Sequence, residues 1–183
     1  SVVDKDGNVV ALTQTLSSFF GAAVAVPGTG IILNNEMGNF NNKKGSSAYA
    51  PGKRMNTTIA PTLIMKDGQS FATLGTPGAM RIIPTLTQIV TNLIDYGMGI
   101  QEAIEAPRWL YGRTWGDESR SLKLEGRIPD GVATELKRRG HDVSMVEDWS
   151  QTMGHAQAIW IDREEGVLRG GADPRGEGMA MGF

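Results

Sequence analysis

The sequence predicts an α+β domain, because hairpin patterns and helical patterns are mixed along its 183 residues and no strand–helix–strand alternation indicates a purely parallel sheet. Three pairs of short apolar runs flank turns that contain aspartate and glycine, which favour the positive φ angles that tight hairpin turns need. We therefore expect β-hairpins at residues 2–12, 62–74 and 156–168. Together with three expected helices, these hairpins are typical of a layered sandwich.

The helices follow from the spacing of apolar residues and from residues that end helices. Between Arg81 and Tyr96 apolar side chains recur at steps of three and four, which is the period of a helix buried along one broad face. Gly97 is a natural end for this helix. A shorter helix is expected from Ile100 to Ala106, just before Pro107. A third is expected from Pro129 to Gly140, with cationic residues near its end.

Composition argues against several classes of function. The 18 basic and 20 acidic residues leave a net charge of −2, which argues against a nucleic-acid or membrane-surface protein that works by bulk electrostatics. No apolar run approaches the roughly 18 residues of a spanning helix. The chain has no cysteine, so it contains no thiolate metal ligand, disulfide or cysteine nucleophile. Nucleotide-binding and zinc motifs are also missing, and we expect no metal and no cofactor.

Two histidines, His141 and His155, are the only imidazole groups in the chain. Each follows a glycine, the first at the end of the third expected helix and the second before a strand. We expect both to be surface or capping residues.

The segment from Gly75 to Arg81 stands between an expected strand and the strongest helical pattern. A strand, a glycine-rich turn and a helix start leave several backbone N–H groups unpaired, with the positive end of the helix dipole behind them. Such a loop can hold an anion, and where the anion forms during reaction at a carbonyl group the loop is an oxyanion hole. A tight strand-to-helix connection without a ligand is the alternative.

Polar residues follow the apolar strand expected at residues 31–33, with three amides, one carboxylate and a glycine within six positions. They predict either a loop of Asx turns or a set of donors and acceptors for a polar substrate. The residues from Asn39 to Gly52 are expected to form a polar surface loop of the kind that borders a site. A threonine pair, Thr57 and Thr58, precedes the next strand and indicates little by itself.

Ten short segments, in register along nearly the whole chain, form one combined pattern. They are residues 1–8, 13–16, 20–21, 33–37, 53–54, 61–62, 75–78, 94–97, 105–108 and 172–175. This pattern resembles the small, C-terminal subunit of the gamma-glutamyltransferase family, which includes gamma-glutamyltranspeptidases and related cephalosporin acylases. The resemblance implies an N-terminal-nucleophile (Ntn) hydrolase with an αββα sandwich, in which residues 1–183 are the small subunit.

The resemblance also implies a second chain. Members of this family arise when a precursor cleaves itself and both halves stay together, so the implied partner is the large subunit of the same precursor. A dimer of such heterodimers is a further possibility that the resemblance raises. The implied substrate is a small γ-glutamyl or other acyl amide.

In the family, the nucleophile is the threonine at the new N-terminus, whose own α-amino group serves as the base. An unperturbed α-amino group has a pKa of about 7.7–8.0 and is partly neutral near pH 7. The family's small subunit begins Thr-Thr-His, one variable residue, then Ser-Val-Val-Asp, so Ser1 matches the position four residues after the nucleophile. The catalytic threonine is therefore expected upstream of Ser1. Ser1 itself is the alternative nucleophile, provided that it is a true terminus.

The resemblance assigns catalytic roles to three residues of this chain. Thr15 matches the threonine that hydrogen-bonds the nucleophile's hydroxyl, and Gly78 and Ala79 match the glycine pair of the oxyanion hole. Ala79 departs from glycine, but the donor is a backbone N–H, so the hole survives if the local φ and ψ suit a residue with a Cβ. Ser17 replaces the asparagine common in the binding segment beside Thr15.

Four further residues match substrate-binding positions. Glu36 matches an acidic or amide position that helps to bind the substrate's amino group, and Thr57 and Thr58 stand where a serine pair holds the α-carboxylate. Asn39 replaces the aspartate that pairs with the α-ammonium of a γ-glutamyl group. Because charged hydrogen bonds are roughly twice as strong as neutral ones, Asn39 is expected to weaken that recognition.

The sequence therefore predicts a gamma-glutamyltransferase-like amide hydrolase or acyltransferase. One alternative is an amidase of the glutaryl or cephalosporin acylase type, since a glutaryl group has no ammonium for position 39 to recognise. The other is a catalytically silent binding member of the family, because Ser17, Asn39 and Ala79 depart from the family pattern together.

Overall fold

The computed structural model describes residues 1–40, 45, 48–114 and 118–183, which divide into two compact units. Unit 1 comprises Ser1–Leu12 and Ile59–Phe183, and unit 2 comprises Thr13–Thr58. Part of the polar loop expected from Asn39 to Gly52, namely residues 41–44 and 46–47, lies outside the described residues.

Unit 1 holds the regular secondary structure of strands and α-helices. Its strands are β1 (Val2–Val3), β2 (Val9–Val10), β3 (Thr62–Lys66), β4 (Gln69–Gly75), β5 (Trp109–Tyr111), β6 (Leu122–Glu125), β7 (Val143–Val146), β8 (Gln157–Asp162) and β9 (Val167–Ala172). Its α-helices are α1 (Ile82–Ile94), α2 (Ile100–Glu105) and α3 (Asp130–Arg138). The mixture of hairpins and helices that the sequence predicts is confirmed.

The principal sheet has four antiparallel strands in the order β3-β4-β8-β9, and two of the three expected hairpins form it. The third expected hairpin is β1–β2. Side chains of β4 and β8 share one core with α1 and α2, and Leu74, Ile89 and Ile104 are fully buried in it. The three- and four-residue spacing of α1 thus directs its apolar stripe onto the sheet.

A second sheet in unit 1 was missed by the sequence analysis. It has the order β5-β6-β7, and β6 and β7 are parallel and joined through α3. The expectation that the chain lacks a strand–helix–strand order is therefore wrong for this part. The reason lies in β6, which reads Leu-Lys-Leu-Glu like a half-exposed strand, whereas all four of its residues are buried.

The helices lie close to their expected positions, with differences at their ends. α1 is preceded by a 3₁₀ helix, Ala79–Arg81, so the regular helix starts at Ile82. Pro129 has an extended backbone immediately before α3 and does not occupy its first turn. His141 donates its backbone N–H to the Leu136 carbonyl oxygen at the end of α3, which agrees with the expected capping position. No helix in the described ranges is both long enough and apolar enough to cross a membrane.

Unit 2 is largely irregular. The strand expected at residues 31–33 is reduced to one isolated bridge between Ala25 and Ile32, followed by a 3₁₀ helix at Glu36–Asn39. Gly21 has a φ of 53°, and a Cβ there would collide with the Leu33 carbonyl oxygen. This close approach of two backbone segments requires glycine.

Candidate functional site

The loop between β4 and α1 has an unusual backbone at two adjacent positions. Gly78 has φ 144° and ψ 9°, a conformation that side-chain-bearing residues rarely adopt, and Ala79 has φ 52° in the left-handed region. Within the described part of the chain, no acceptor pairs with the backbone N–H of Gly78 or of Ala79. The loop therefore offers two consecutive N–H donors to an anion.

Hydrogen bonds hold this loop on both sides. The buried hydroxyl of Thr76 donates to the Pro77 carbonyl oxygen at 2.9 Å and accepts the backbone N–H of His155 at 3.1 Å. Beyond the turn, the Gly78 carbonyl oxygen accepts the backbone N–H of Arg81 at 3.0 Å and its Nε–H at 2.9 Å. His155 is half-buried, and its backbone N–H supplies the contact with Thr76.

Four charged side chains form a buried network in unit 1. Arg108 Nη2 lies 2.6 Å from Asp173 Oδ2, and Arg175 Nη1 lies 3.0 Å from Asp173 Oδ1. Arg175 also binds Glu125 through two hydrogen bonds, of which Nη2 to Oε2 is 2.6 Å. Arg108, Asp173 and Arg175 lie in the segments 105–108 and 172–175 that resemble the family, but their sequence predicted no role for them.

The network is connected to the loop. Arg108 Nη1 donates to the carbonyl oxygens of Met153 and Gly154, each at 3.1 Å, and the next residue, His155, donates its N–H to Thr76. A continuous path of hydrogen bonds and one short chain segment thus runs from the buried charges to the residue that supports the N–H donors.

Within the buried network, the ionised forms of Asp173 and Arg175 are stabilised. Burial raises the pKa of Asp173, but the charge of Arg108 and the backbone N–H groups of Ala156 and Arg175 outweigh it, so the pKa of Asp173 lies below its ordinary value. Burial lowers the pKa of Arg175, but its hydrogen bonds to Glu125 lead the effects that raise it above the ordinary value. These groups therefore carry their charges at neutral pH.

Unit 2 brings together two of the expected site segments. The hydroxyl oxygen of Thr15 accepts the backbone N–H of Ser17 at 2.8 Å, which leaves the Thr15 hydroxyl hydrogen free to be donated elsewhere. Ser17 has φ 74°, a left-handed conformation that asparagine tolerates better than most residues. Asn35 ties this segment to the next one, since its Oδ1 accepts the N–H of Ser18 and its Nδ2 donates to the Ser18 hydroxyl.

The second of these segments carries the acidic residue. Asn39 Nδ2 donates to Glu36 Oε2 at 2.7 Å, and Asn34 Oδ1 accepts the Glu36 N–H at 3.0 Å, which is an Asx turn. Thr57 is exposed and Thr58 is half-buried at the end of unit 2. Among the residues that the structure describes, no group of three or more His, Asp or Glu side chains is placed to hold a metal ion.

An antiparallel sheet backed by helices, with N–H donors after one of its central strands, is the arrangement that the predicted Ntn-hydrolase class of α+β folds requires. The family model described as Gamma-glutamyltranspeptidase matches residues 1–183, and the chain belongs to that family. The family and the fold class that the sequence predicts are both confirmed.

Two similar relatives represent the two branches of activity that the sequence suggests. The glutathione hydrolase-like YwrD proenzyme of Bacillus subtilis is 44% identical over 184 residues, which cover 100% of this chain and 35% of that protein. The acylase ACY 1 proenzyme of Pseudomonas sp. (strain SE83) is 44% identical over 182 residues, covering 99% of this chain and 31% of that protein. The chain thus spans about a third of the length of these relatives.

Solved structures of both kinds of enzyme, a transpeptidase and an acylase, are also similar to this chain. A gamma-glutamyltranspeptidase from Pseudomonas nitroreducens, complexed with L-DON, superposes with a TM-score of 0.81 at 33% identity, over 100% of this chain and 97% of that one. A cephalosporin acylase from Bacillus halodurans superposes with a TM-score of 0.77 at 35% identity, over 88% of this chain and 29% of that one.

Proposed function

We propose that this chain is the small, C-terminal part of a gamma-glutamyltransferase-like amide hydrolase and acyltransferase, whose acyl-enzyme forms on an N-terminal threonine upstream of Ser1. The observation that carries the proposal is the pair of N–H donors at Gly78 and Ala79. Backbone strain of this kind costs of order 1–3 kcal/mol and persists where the surrounding structure enforces it, often at active sites. Donors fixed in advance suit an oxyanion that forms during acyl transfer.

The reaction follows from these groups. The threonine hydroxyl oxygen attacks the amide carbon and its proton passes to the chain's own α-amino group, while the carbonyl oxygen becomes an oxyanion beside the N–H groups of Gly78 and Ala79. When this intermediate collapses, the C–N bond breaks and the leaving amine takes the proton. Water or an amine then attacks the ester by the same route. Thr15, whose hydroxyl hydrogen is free, is proposed to hold the nucleophile's oxygen.

The position of the first strand supports a nucleophile upstream of Ser1. Ser1 Oγ lies 3.3 Å from Oγ1 of the buried Thr73, which stands in β4 two residues before Gly75. Residues upstream of Ser1 would therefore join the chain beside β4, the strand that leads into the donor loop. Four residues span up to about 13–14 Å when extended. A threonine four residues before Ser1 can therefore extend from Ser1 toward the donor loop.

Two observations support a large-subunit partner from the same precursor. The chain covers 97% of the solved Pseudomonas nitroreducens chain but 29% of the cephalosporin acylase chain, so this region occurs both as a nearly separate chain and within a longer one. Large apolar side chains are also exposed, among them Phe19 at 94% and Phe20 at 72%. Exposed apolar surface of this kind marks an interaction site.

Expression of the complete precursor tests the proposal. We expect it to cleave itself just before the Thr-Thr-His sequence, so that N-terminal sequencing of the small chain yields threonine and the product hydrolyses a γ-glutamyl or glutaryl anilide. Cleavage directly before Ser1 would instead identify Ser1 as the nucleophile. A folded precursor that stays intact and inactive after prolonged incubation would support the silent binding member.

Asn39 is proposed to set the acyl specificity. Its amide already satisfies Glu36, whereas an aspartate would place a second carboxylate about 3 Å from Glu36 and would favour a cation between them. We therefore propose that glutaryl and γ-glutamyl amides react at comparable rates. Asn39→Asp is expected to shift the ratio of their kcat/KM values toward γ-glutamyl by about 5-fold, since a hydrogen bond to a charged group is stronger by about 1 kcal/mol.

The control is Gln69→Glu, which makes the same amide-to-carboxylate change at an exposed position in β4 and should leave the ratio unchanged. A strong γ-glutamyl preference in the unmodified enzyme, unaltered by Asn39→Asp, would contradict this assignment.

A further inference from the structure

Arg81 makes an unusual contact for a partly buried arginine. Its Nε–H donates at 2.9 Å to the Gly78 carbonyl oxygen, which also accepts the Arg81 backbone N–H at 3.0 Å. Two donors from one residue therefore converge on a single carbonyl oxygen. One of them belongs to a charged group, which makes that hydrogen bond stronger than a neutral one.

The oxygen that Arg81 binds and the Ala79 N–H belong to the same peptide unit. A trans peptide is planar and places its C=O and N–H on opposite sides. A bond that fixes the direction of the Gly78 carbonyl oxygen thus also fixes the direction of the Ala79 N–H. It further draws electron density toward the oxygen and makes that N–H a stronger donor, an effect of about 10–30% per bond in chains of hydrogen bonds.

The charge of Arg81 has no other evident use. Among the described residues no carboxylate forms an ion pair with it, whereas the buried Arg108 binds one carboxylate and the buried Arg175 binds two. Burial lowers the pKa of Arg81, although a guanidinium still stays charged in proteins. Removing part of a guanidinium from water is unfavourable unless its hydrogen bonds are satisfied, and the Gly78 carbonyl oxygen provides one such bond.

We propose that Arg81 is a positioning residue for acyl transfer: its Nε–H holds and polarises the Gly78–Ala79 peptide so that the Ala79 N–H receives the oxyanion. This inference rests on the proposed function, because it gives Arg81 a role only if Ala79 is an oxyanion donor. The side chain touches neither the substrate nor the nucleophile in this role. Its effect is confined to the transition state, in which the oxygen carries negative charge.

The experiment compares Arg81→Gln and Arg81→Lys with the unmodified enzyme, each produced as the complete precursor and assayed per processed chain. We expect Arg81→Gln to lower kcat by about 10- to 100-fold with KM changed by less than about 3-fold, because a transition-state interaction is lost while substrate binding is not. The kcat of Arg81→Lys should lie between those of the unmodified enzyme and Arg81→Gln, since a lysine ammonium can donate to the Gly78 oxygen but is carried by a flexible side chain.

The inhibition constant of a boronic acid analogue of the acyl group is a second measurement, which misfolding of part of the sample does not change. It forms a tetrahedral adduct with a hydroxyl nucleophile, so its affinity should fall by the same factor as kcat/KM. Partial unfolding would reduce the amount of active enzyme and leave the inhibition constant of the remainder unchanged. Arg138→Gln, at an exposed arginine paired with Glu135, is the matched control and should behave as the unmodified enzyme does.

Unaltered kcat and boronate affinity in both Arg81 variants would overturn the inference, as would a loss confined to KM. If Arg81→Gln does not fold, Arg81→Lys decides between these outcomes. An unmodified enzyme that hydrolyses neither acyl amide would instead overturn the proposed function, so the two failures are distinguishable.

Discussion

Replacement of Gly78 by alanine is expected to lower kcat about 100- to 1,000-fold, the range found when one oxyanion-hole donor is lost. Gly78 has a φ of 144°, a backbone conformation that an alanine rarely adopts. The backbone must therefore rotate, and the N–H groups of Gly78 and Ala79 turn with it. Steady-state kinetics of the processed enzyme measure the loss, with KM expected to change little.

Two further variants separate this effect from a general cost of backbone strain. Gly140→Ala also introduces a side chain at positive φ, 93°, at a position where a Cβ meets nothing within 4 Å. It should lower stability and leave kcat intact. Ala79→Gly relieves a left-handed alanine, so we expect retained activity and a free energy of unfolding unchanged or higher by up to about 1 kcal/mol. Full activity in Gly78→Ala would remove the donor loop from the mechanism.

Replacement of Asp173 by alanine is expected to lower the free energy of unfolding by about 3–5 kcal/mol, the cost of breaking a buried ion pair by removing one partner. Asp173 is 1% exposed, and within the described residues it is the only carboxylate that forms an ion pair with Arg108. Its loss leaves that guanidinium buried without a paired carboxylate and removes the acceptor of the Ala156 N–H. Urea unfolding of the intact protein measures the change.

Glu135→Ala provides the matched control, because this carboxylate also binds two arginines, Arg138 and Arg139, but on the surface. Surface ion pairs contribute little, so stability should barely change. Equal losses in both variants would contradict the role of burial. Because the Asp173 Oδ2 oxygen also orders Arg108, we further expect Asp173→Ala to lower activity through the path from Arg108 to Thr76.

The Asp173 network also has a definite pH dependence. The folded pKa of Asp173 lies below its ordinary value of about 3.9, so its ionised form stabilises the fold fully above that value. This contribution is lost as the pH falls through the folded pKa. The difference in stability between the unmodified protein and Asp173→Ala should therefore shrink on acidification below about pH 4, which urea titrations at several pH values measure.

Much of the fold followed from patterns within a few residues. Hairpin turns with aspartate and glycine, the three- and four-residue spacing of α1 and the position of Gly97 all act locally, and the three expected hairpins and three expected helices are present. The sequence also located the loop between β4 and α1, where a glycine-rich turn between a strand and a helix indicates either a tight connection or an anion site. The resemblance in ten segments extended this to the family, which the comparisons confirm.

Other features required the folded chain. The parallel pair β6–β7 escaped prediction because the polar residues Lys123 and Glu125 are buried, and Glu125 is paired with Arg175, 50 residues away. The positive φ of Ala79 and the Asn39–Glu36 bond depend on the geometry of their loops and not on residue type. Arg108 and Asp173 are 65 residues apart, and Arg175 and Glu125 are 50 apart. No short-range sequence pattern predicts such ion pairs, because an ion pair buried in the core forms only when the packing of sheets and helices brings its two residues together.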